Sequence, residues 1–293
     1  MANNNDVRKS LEQRLQGSAG ALPSGDVAKK YLPGAVTGAA AEKLGERISA
    51  RQNNPLIAYL VFDSTGSMSN YIDAVRTCIE QVGQEILDGK RGIEACVLSV
   101  SDHCEKSYLQ KQGVRMLGDY GQDNAPTTSV RDLHDQIKSI VNTSGGDGPE
   151  AYECLAADLT QKMYDDKQKN PDKKQVIVFF GDSVPHGKRS MKDDGCPHQR
   201  NAAQLVGMTA MANHTYFVDC APSYNDEFKT GTYQAAGNTP KTTYLRFENA
   251  RSVLGPAIIG MIKKEESPEA LRTYLAALPT YQATKVAGLL GKS

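Results

Sequence analysis

The 293 residues include no tryptophan, which excludes recognition of bases or sugars by indole stacking. Neither sign of charge prevails: 34 lysines and arginines face 34 aspartates and glutamates. A general nucleic-acid or acidic-membrane surface, which needs an excess of positive charge, is therefore not expected. No apolar run approaches the roughly 20 residues that cross a bilayer, and no apolar signal core follows the polar start Met1–Asp6. A Gly-x-x-x-x-Gly-Lys-Ser/Thr phosphate loop, a Cys-x-x-Cys pair and an assignable Ser–His–Asp grouping are all missing. The six cysteines stand far apart, and Cys78, Cys96, Cys154 and Cys220 fall within apolar helical or strand patterns. They read as small buried hydrophobes in a reducing compartment rather than a disulfide framework. The expectation is a cytoplasmic protein without membrane or nucleic-acid partners.

What is present centres on Ile57-Ala58-Tyr59-Leu60-Val61-Phe62-Asp63-Ser64-Thr65-Gly66-Ser67-Met68. Its continuous apolar run reads as a strand buried on both faces. The run ends at an acid and two alternate hydroxyls, Thr65 and Ser67, and a helical pattern opens directly after. Open α/β sheets place their sites at such strand ends. A carboxylate with hydroxyls also suits a hard cation such as Mg²⁺.

Alternating strand and helix patterns follow. Tyr71 to Ile86 keeps one helical stripe. Ile93–Val100, Gln175–Phe180, Thr215–Cys220 and Thr242–Phe247 read as strands, and Ser107–Leu117 reads as an edge strand or hairpin. Val130 to Val141 and Ala250 to Ile262 read as helices. In Asn142-Thr143-Ser144-Gly145-Gly146-Asp147-Gly148-Pro149-Glu150, glycines permit a close turn, and Pro149 with Glu150 suits the first turn of a helix that runs on through Met163. Asp182 ends a third buried strand, in Gly181-Asp182-Ser183-Val184-Pro185-His186-Gly187. The fold class is α/β, a doubly wound and mostly parallel sheet flanked by helices.

Asp63-Ser64-Thr65-Gly66-Ser67 resembles the metal-ion-dependent adhesion site of von Willebrand factor type A domains, whose pattern is Asp-x-Ser/Thr-x-Ser. Gly-Gly-Asp-x-Pro-Glu at 145–150 resembles the second metal loop of an intracellular and bacterial branch of that family. Gly181–Gly187 is similar to that branch's Gly-Asp-Ala-Pro-Pro-His-Gly, with Val184 in place of the first proline. The resemblance covers roughly residues 56 to 265. It implies a Rossmann-like type A fold and a Mg²⁺ (or Mn²⁺) ion on Asp63, Thr65, Ser67, Asp147 and Asp182, with Ser64, Thr143, Ser144 and His186 as accessory candidates. It also implies a protein partner whose acidic residue completes the coordination, in the setting of an AAA+ ATPase or a multi-protein complex. Asp147 stands where adhesion-type members have threonine. Three carboxylates leave a dication site near −1, which weakens attraction for a further carboxylate. Asp147 is therefore either turned away, or the metal is mainly structural.

The implied function is a metal-dependent interaction module, not an enzyme. Two alternatives stay open: a structural or assembly subunit with a stabilising metal, and a Mg²⁺-dependent phosphoryl-transfer enzyme, which the lack of an Asp-x-Asp motif at Asp63 disfavours. His103, Cys104, His186, Cys196 and His198 carry zinc-ligand chemistry in a spacing that matches no zinc pattern, so local hydrogen bonding and a free thiol are the expected reading. Residues 1–54 read as an extension. Val7, Leu11 and Leu15 suggest a short helix, Gly17–Gly25 a linker, and Ala39–Ile48 a second helix. The domain proper runs over 55–265. Residues 266–293 read as a helical tail, opened by a Ser267 cap and Pro268. Such extensions pack on the domain or mediate oligomerisation.

Overall fold

A computed structural model describes residues 55–87, 92–146, 148–187 and 193–291. The helices and linker expected before Pro55 lie outside the described residues, as does Asp147. In chain order the elements are β1 (Leu56–Asp63), α1 (Ser69–Ile86), β2 (Ile93–Val100), α2 (Lys106–Lys111), β3 (Met116–Leu117), β4 (Gly121–Gln122), α3 (Val130–Lys138), α4 (Tyr152–Lys169) and β5 (Lys174–Gly181). There follow α5 (Ala203–Met211), β6 (His214–Asp219), β7 (Thr242–Arg246), α6 (Phe247–Ala250), α7 (Leu254–Glu266), α8 (Pro268–Ala277) and α9 (Thr280–Leu290).

The strands form one mixed sheet in the order β3-β4-β2-β1-β5-β6-β7. β2, β1, β5, β6 and β7 are mutually parallel, and the β3–β4 hairpin pairs antiparallel at one edge. Every residue of β1 is buried, as a strand covered by helices on both faces must be. Its alternation divides the core. Leu56, Ala58, Leu60 and Phe62 pack with α1, α3, α7, α8 and α9, while Ile57, Tyr59 and Val61 pack with α4 and α5. Asp63 continues the second set, so its carboxylate emerges on the α4 side at the carboxyl end of the sheet.

Two local expectations change. Ser107–Leu117 is mostly the short helix α2, with only Met116–Leu117 in a strand. Six helical residues give too few turns to show a period, and Gly113 (φ +69°) stops the helix just past its end. The helix expected from Pro149 begins at Tyr152 instead. Glu150 is held in an extended bridge to Pro185, its N–H donating to Val184 O at 2.9 Å.

Helices α8 and α9 pack on α7, with Val286 and Leu290 buried in the same core cluster. Among the described residues no helix is long and apolar enough to cross a membrane. Ser129 caps α3, its Oγ accepting from Asp132 N at 3.2 Å. Ser129→Ala is expected to cost about 1 kcal/mol, read as a lower denaturant midpoint at unchanged slope.

Candidate functional site

Three loops meet at the carboxyl ends of β1 and β5. The turn after β1 is shaped by Asp63 itself, whose Oδ1 accepts from Thr65 N at 2.9 Å and from Thr65 Oγ1 at 2.5 Å. Thr65 Oγ1 lies 3.3 Å from Ser67 Oγ, which donates to Asp182 Oδ1 at 3.0 Å. Asp63, Thr65, Ser67 and Asp182 thus form one connected set of hard oxygens spanning two strand ends. The 143–150 loop is sewn to both: Thr143 N donates to Ser64 O at 2.9 Å, Glu150 N to Val184 O, and Ser183 Oγ to Gly148 O. This approach depends on glycine. A side chain at Gly146 would place Cβ 2.0 Å from Asp102 Oδ2, and Gly145 sits at φ +73°.

The accessory candidates separate. Ser64 Oγ donates to Val100 O at 3.2 Å and serves the β1–β2 pairing. Thr143 Oγ1 is 3.5 Å from Ser64 O. Ser144 lines the cleft, but its Oγ donates to Glu105 Oε1 at 2.7 Å. His186 is buried between two acids, its Nδ1 3.0 Å from Glu153 Oε1 and its Nε2 3.4 Å from Asp102 Oδ1. Burial disfavours its charge, yet bonds to Asp102 and Glu153 outweigh this and hold its pKa up at about 10.

Two contributors escape a reading of the sequence alone. Tyr152 sits in the apolar stripe of α4, yet its hydroxyl donates to Asp63 Oδ2. Glu150, which the sequence places as a helix-end acid, is buried, and its Oε2 has no hydrogen-bond partner among the described residues. Only the pairing of its loop with Val184–Pro185 reveals this position. Burial raises the pKa of Asp63. Burial and the Asp63 charge push Asp182 up to about 7. Glu150 rises well above its usual range through burial and the charges of Asp63, Asp102 and Asp182. Uncompensated acids in a dry site cost stability unless a cation neutralises them. The donor set, all carboxylate and hydroxyl oxygen, fits a hard divalent cation and not a soft one.

A measurable consequence follows for stability. A carboxyl whose folded-state pKa is raised binds its proton more tightly than the unfolded chain does. It therefore costs stability at pH values above its unfolded pKa of 4.5, increasingly so up to the folded value. Glu150→Gln is expected to raise the melting temperature in chelating buffer, by roughly 2–4 °C per kcal/mol of relieved repulsion. The gain should shrink as the pH is lowered towards 4.5.

The oxygen set opens into a cleft of about 230 Å³, lined by the three loops and by Asn225 and Glu227 from the segment after β6. Beside them Tyr224 is 89% exposed. Asp219, which ends β6, is occupied elsewhere, accepting from Tyr244 Oη and from Ala221 N at 2.9 Å.

No family model and no curated protein matches the chain. Among solved structures it is similar to the pilus adhesin SpaC from Lactobacillus rhamnosus GG in its open conformation, at 15% identity and a TM-score of 0.49. That match covers 71% of this chain and 30% of the adhesin.

Proposed function

We propose that the chain is a metal-dependent protein-interaction module of the von Willebrand factor type A kind, taking Mg²⁺ or Mn²⁺ at the rim of its sheet. The observation that carries the reading is the convergence of Asp63, Thr65, Ser67 and Asp182 in one hydrogen-bonded set beside the buried, unpartnered Glu150 Oε2. Asp63, Thr65, Ser67 and Asp182 would hold the ion, with Glu150 close behind. Tyr152 and the Thr65 backbone N–H fix the orientation of Asp63. When bound, the ion supplies a Lewis-acidic position for an acidic oxygen of a protein partner.

The surroundings of the cleft suit recognition. Its walls are loops carried on a rigid sheet, and Tyr224, next in sequence to the lining Asn225, is an exposed aromatic available to a partner. The partner would be a protein presenting an Asp or Glu, within an AAA+ ATPase assembly or another multi-protein complex. A cytoplasmic setting agrees with a fold that joins none of its six cysteines by a disulfide among the described residues. The excess of acid favours a second reading, in which the metal only stabilises the rim of an assembly subunit. Affinity capture with the full chain, in Mg²⁺ and in chelator, with Asp63→Asn alongside, separates the two. A partner retained only by the wild type in Mg²⁺ supports the interaction module. A partner retained equally in all three leaves the metal a structural role.

A further inference from the structure

Behind the rim, away from the oxygen set, a different donor chemistry gathers. His103 lies in the turn after β2, Glu153 and Cys154 in the first turn of α4, and Cys196 in the loop before α5. Their ligand atoms all lie within 4.8 Å of one another. Cys154 Sγ is 3.3 Å from Cys196 Sγ. His103 Nε2 is 3.8 Å from Cys196 Sγ and 3.7 Å from Glu153 Oε1. Around Zn²⁺, bonds of about 2.3 Å to sulfur and 2.0–2.2 Å to nitrogen or oxygen set tetrahedral ligand atoms roughly 3.3–3.8 Å apart. The sulfur–sulfur separation is about 0.5 Å shorter than the roughly 3.8 Å of a tetrahedral thiolate pair and the two histidine separations about 0.3 Å longer than theirs, so small side-chain shifts bring these atoms to zinc geometry.

The surrounding bonds point the same way. His103 Nδ1 is 2.8 Å from Asp119 Oδ1, the carboxylate–histidine arrangement that directs the other ring nitrogen, Nε2, at a metal. Asp119 Oδ1 is also 3.1 Å from His198 Nε2. Glu153 is oriented by His186, whose backbone N–H donates to Oε2 at 3.1 Å. Glu153 and Cys154 are fully buried, while His103 and Cys196 are partly exposed and give an entry path. Of the zinc-type residues visible in the sequence, His103 and Cys196 belong to this group. Cys104, His186 and His198 do not.

We propose that His103 Nε2, Glu153 Oε1, Cys154 Sγ and Cys196 Sγ form a second metal site, a closed tetrahedral Zn²⁺ centre distinct from the oxygen site. Two thiolates and an imidazole select a borderline-soft cation over Mg²⁺. Binding releases the two thiol protons. With four protein ligands the site is structural: it ties the turn after β2, the start of α4 and the loop before α5 together behind the rim.

Cobalt substitution of the reduced, full-length protein tests this. Co²⁺ is expected to give thiolate-to-metal charge-transfer absorption with tetrahedral d–d bands, saturating at about one equivalent and displaced by Zn²⁺. Cys154→Ser and Cys196→Ser should each remove about half of the charge-transfer intensity, and Cys104→Ser should leave it unchanged. Asp119→Asn should keep the spectrum while weakening affinity about 10–100-fold. Absence of a thiolate–cobalt band in the wild type overturns the proposal, independently of how the variants fold. So does a band that survives in the Cys154/Cys196 double variant. Recovery of these two residues as a disulfide from the purified protein under air would also overturn it, assigning the pair to redox chemistry.

Discussion

Asp63→Asn is expected to weaken Mg²⁺ binding by more than 100-fold while raising the melting temperature of the chelated protein. The two effects have opposite signs, and this separates a cation site from a turn cap. Asparagine keeps Oδ1, which accepts from Thr65 N and Thr65 Oγ1, so the turn persists. The hydroxyl of Tyr152 can rotate to accept from the new amide. Only the charge is lost. Groups that merely support a metal ligand are worth about 10–100-fold in affinity, so a charged ligand should exceed that. In chelator the same change removes one of the buried negative charges that raise the pKa of Asp182 and Glu150, and stability rises as it commonly does when functional strain is relieved. If Asp63 were a structural cap, asparagine would serve it nearly as well, and both stability and Mg²⁺ binding would stay almost unchanged. Titration calorimetry and thermal unfolding on the same samples read both effects.

Phe180→Ala should be among the most damaging single changes in the core, at about 3–5 kcal/mol. Phe180 is fully buried in β5 and stacks on Phe62 of β1, with ring centroids 5.2 Å apart. These two central strands carry the rim acids at their ends. The truncation leaves a cavity that neighbours on rigid strands cannot close. A loss of this size corresponds to roughly 6–20 °C in melting temperature. Because Asp182 follows two residues later, Mg²⁺ affinity should fall as well, though by less than for Asp63→Asn. A destabilisation under about 1 kcal/mol would mean that the β1–β5 contact is not the centre of the core.

The sheet was legible because its central strands are almost wholly buried. Apolar runs such as Leu56–Phe62 and Val176–Phe180 have no other reading beside helical stripes like Ile72–Ile86. The C-terminal helices were legible through the Ser267 cap and Pro268, and Ser267 Oγ does accept from Ala270 N at 3.0 Å. The segment 107–117 was not, because α2 is too short to show a period. Asp63, Thr65 and Ser67 lie within five residues of one another, so a local pattern reveals them. Asp182 joins them through its strand end. Glu150 depends on a loop pairing with Val184–Pro185, 34 residues on, and nothing local distinguishes it from an ordinary helix-end acid. Cys154 and Cys196 are separated by 42 residues, and Cys154 sits in an apolar stripe. A buried thiol there reads as a small hydrophobe until the fold brings a second sulfur to it.

The account depends most on whether the rim oxygens take a cation at all. Mg²⁺ titrated calorimetrically into the metal-stripped, full-length wild-type protein tests this directly. The expected result is saturable binding of about one ion per chain, with a matching rise in melting temperature. Heats no larger than dilution, with a melting temperature unmoved by Mg²⁺ or Mn²⁺, would contradict it and leave Asp63, Asp182 and Glu150 as buried acids without a cation.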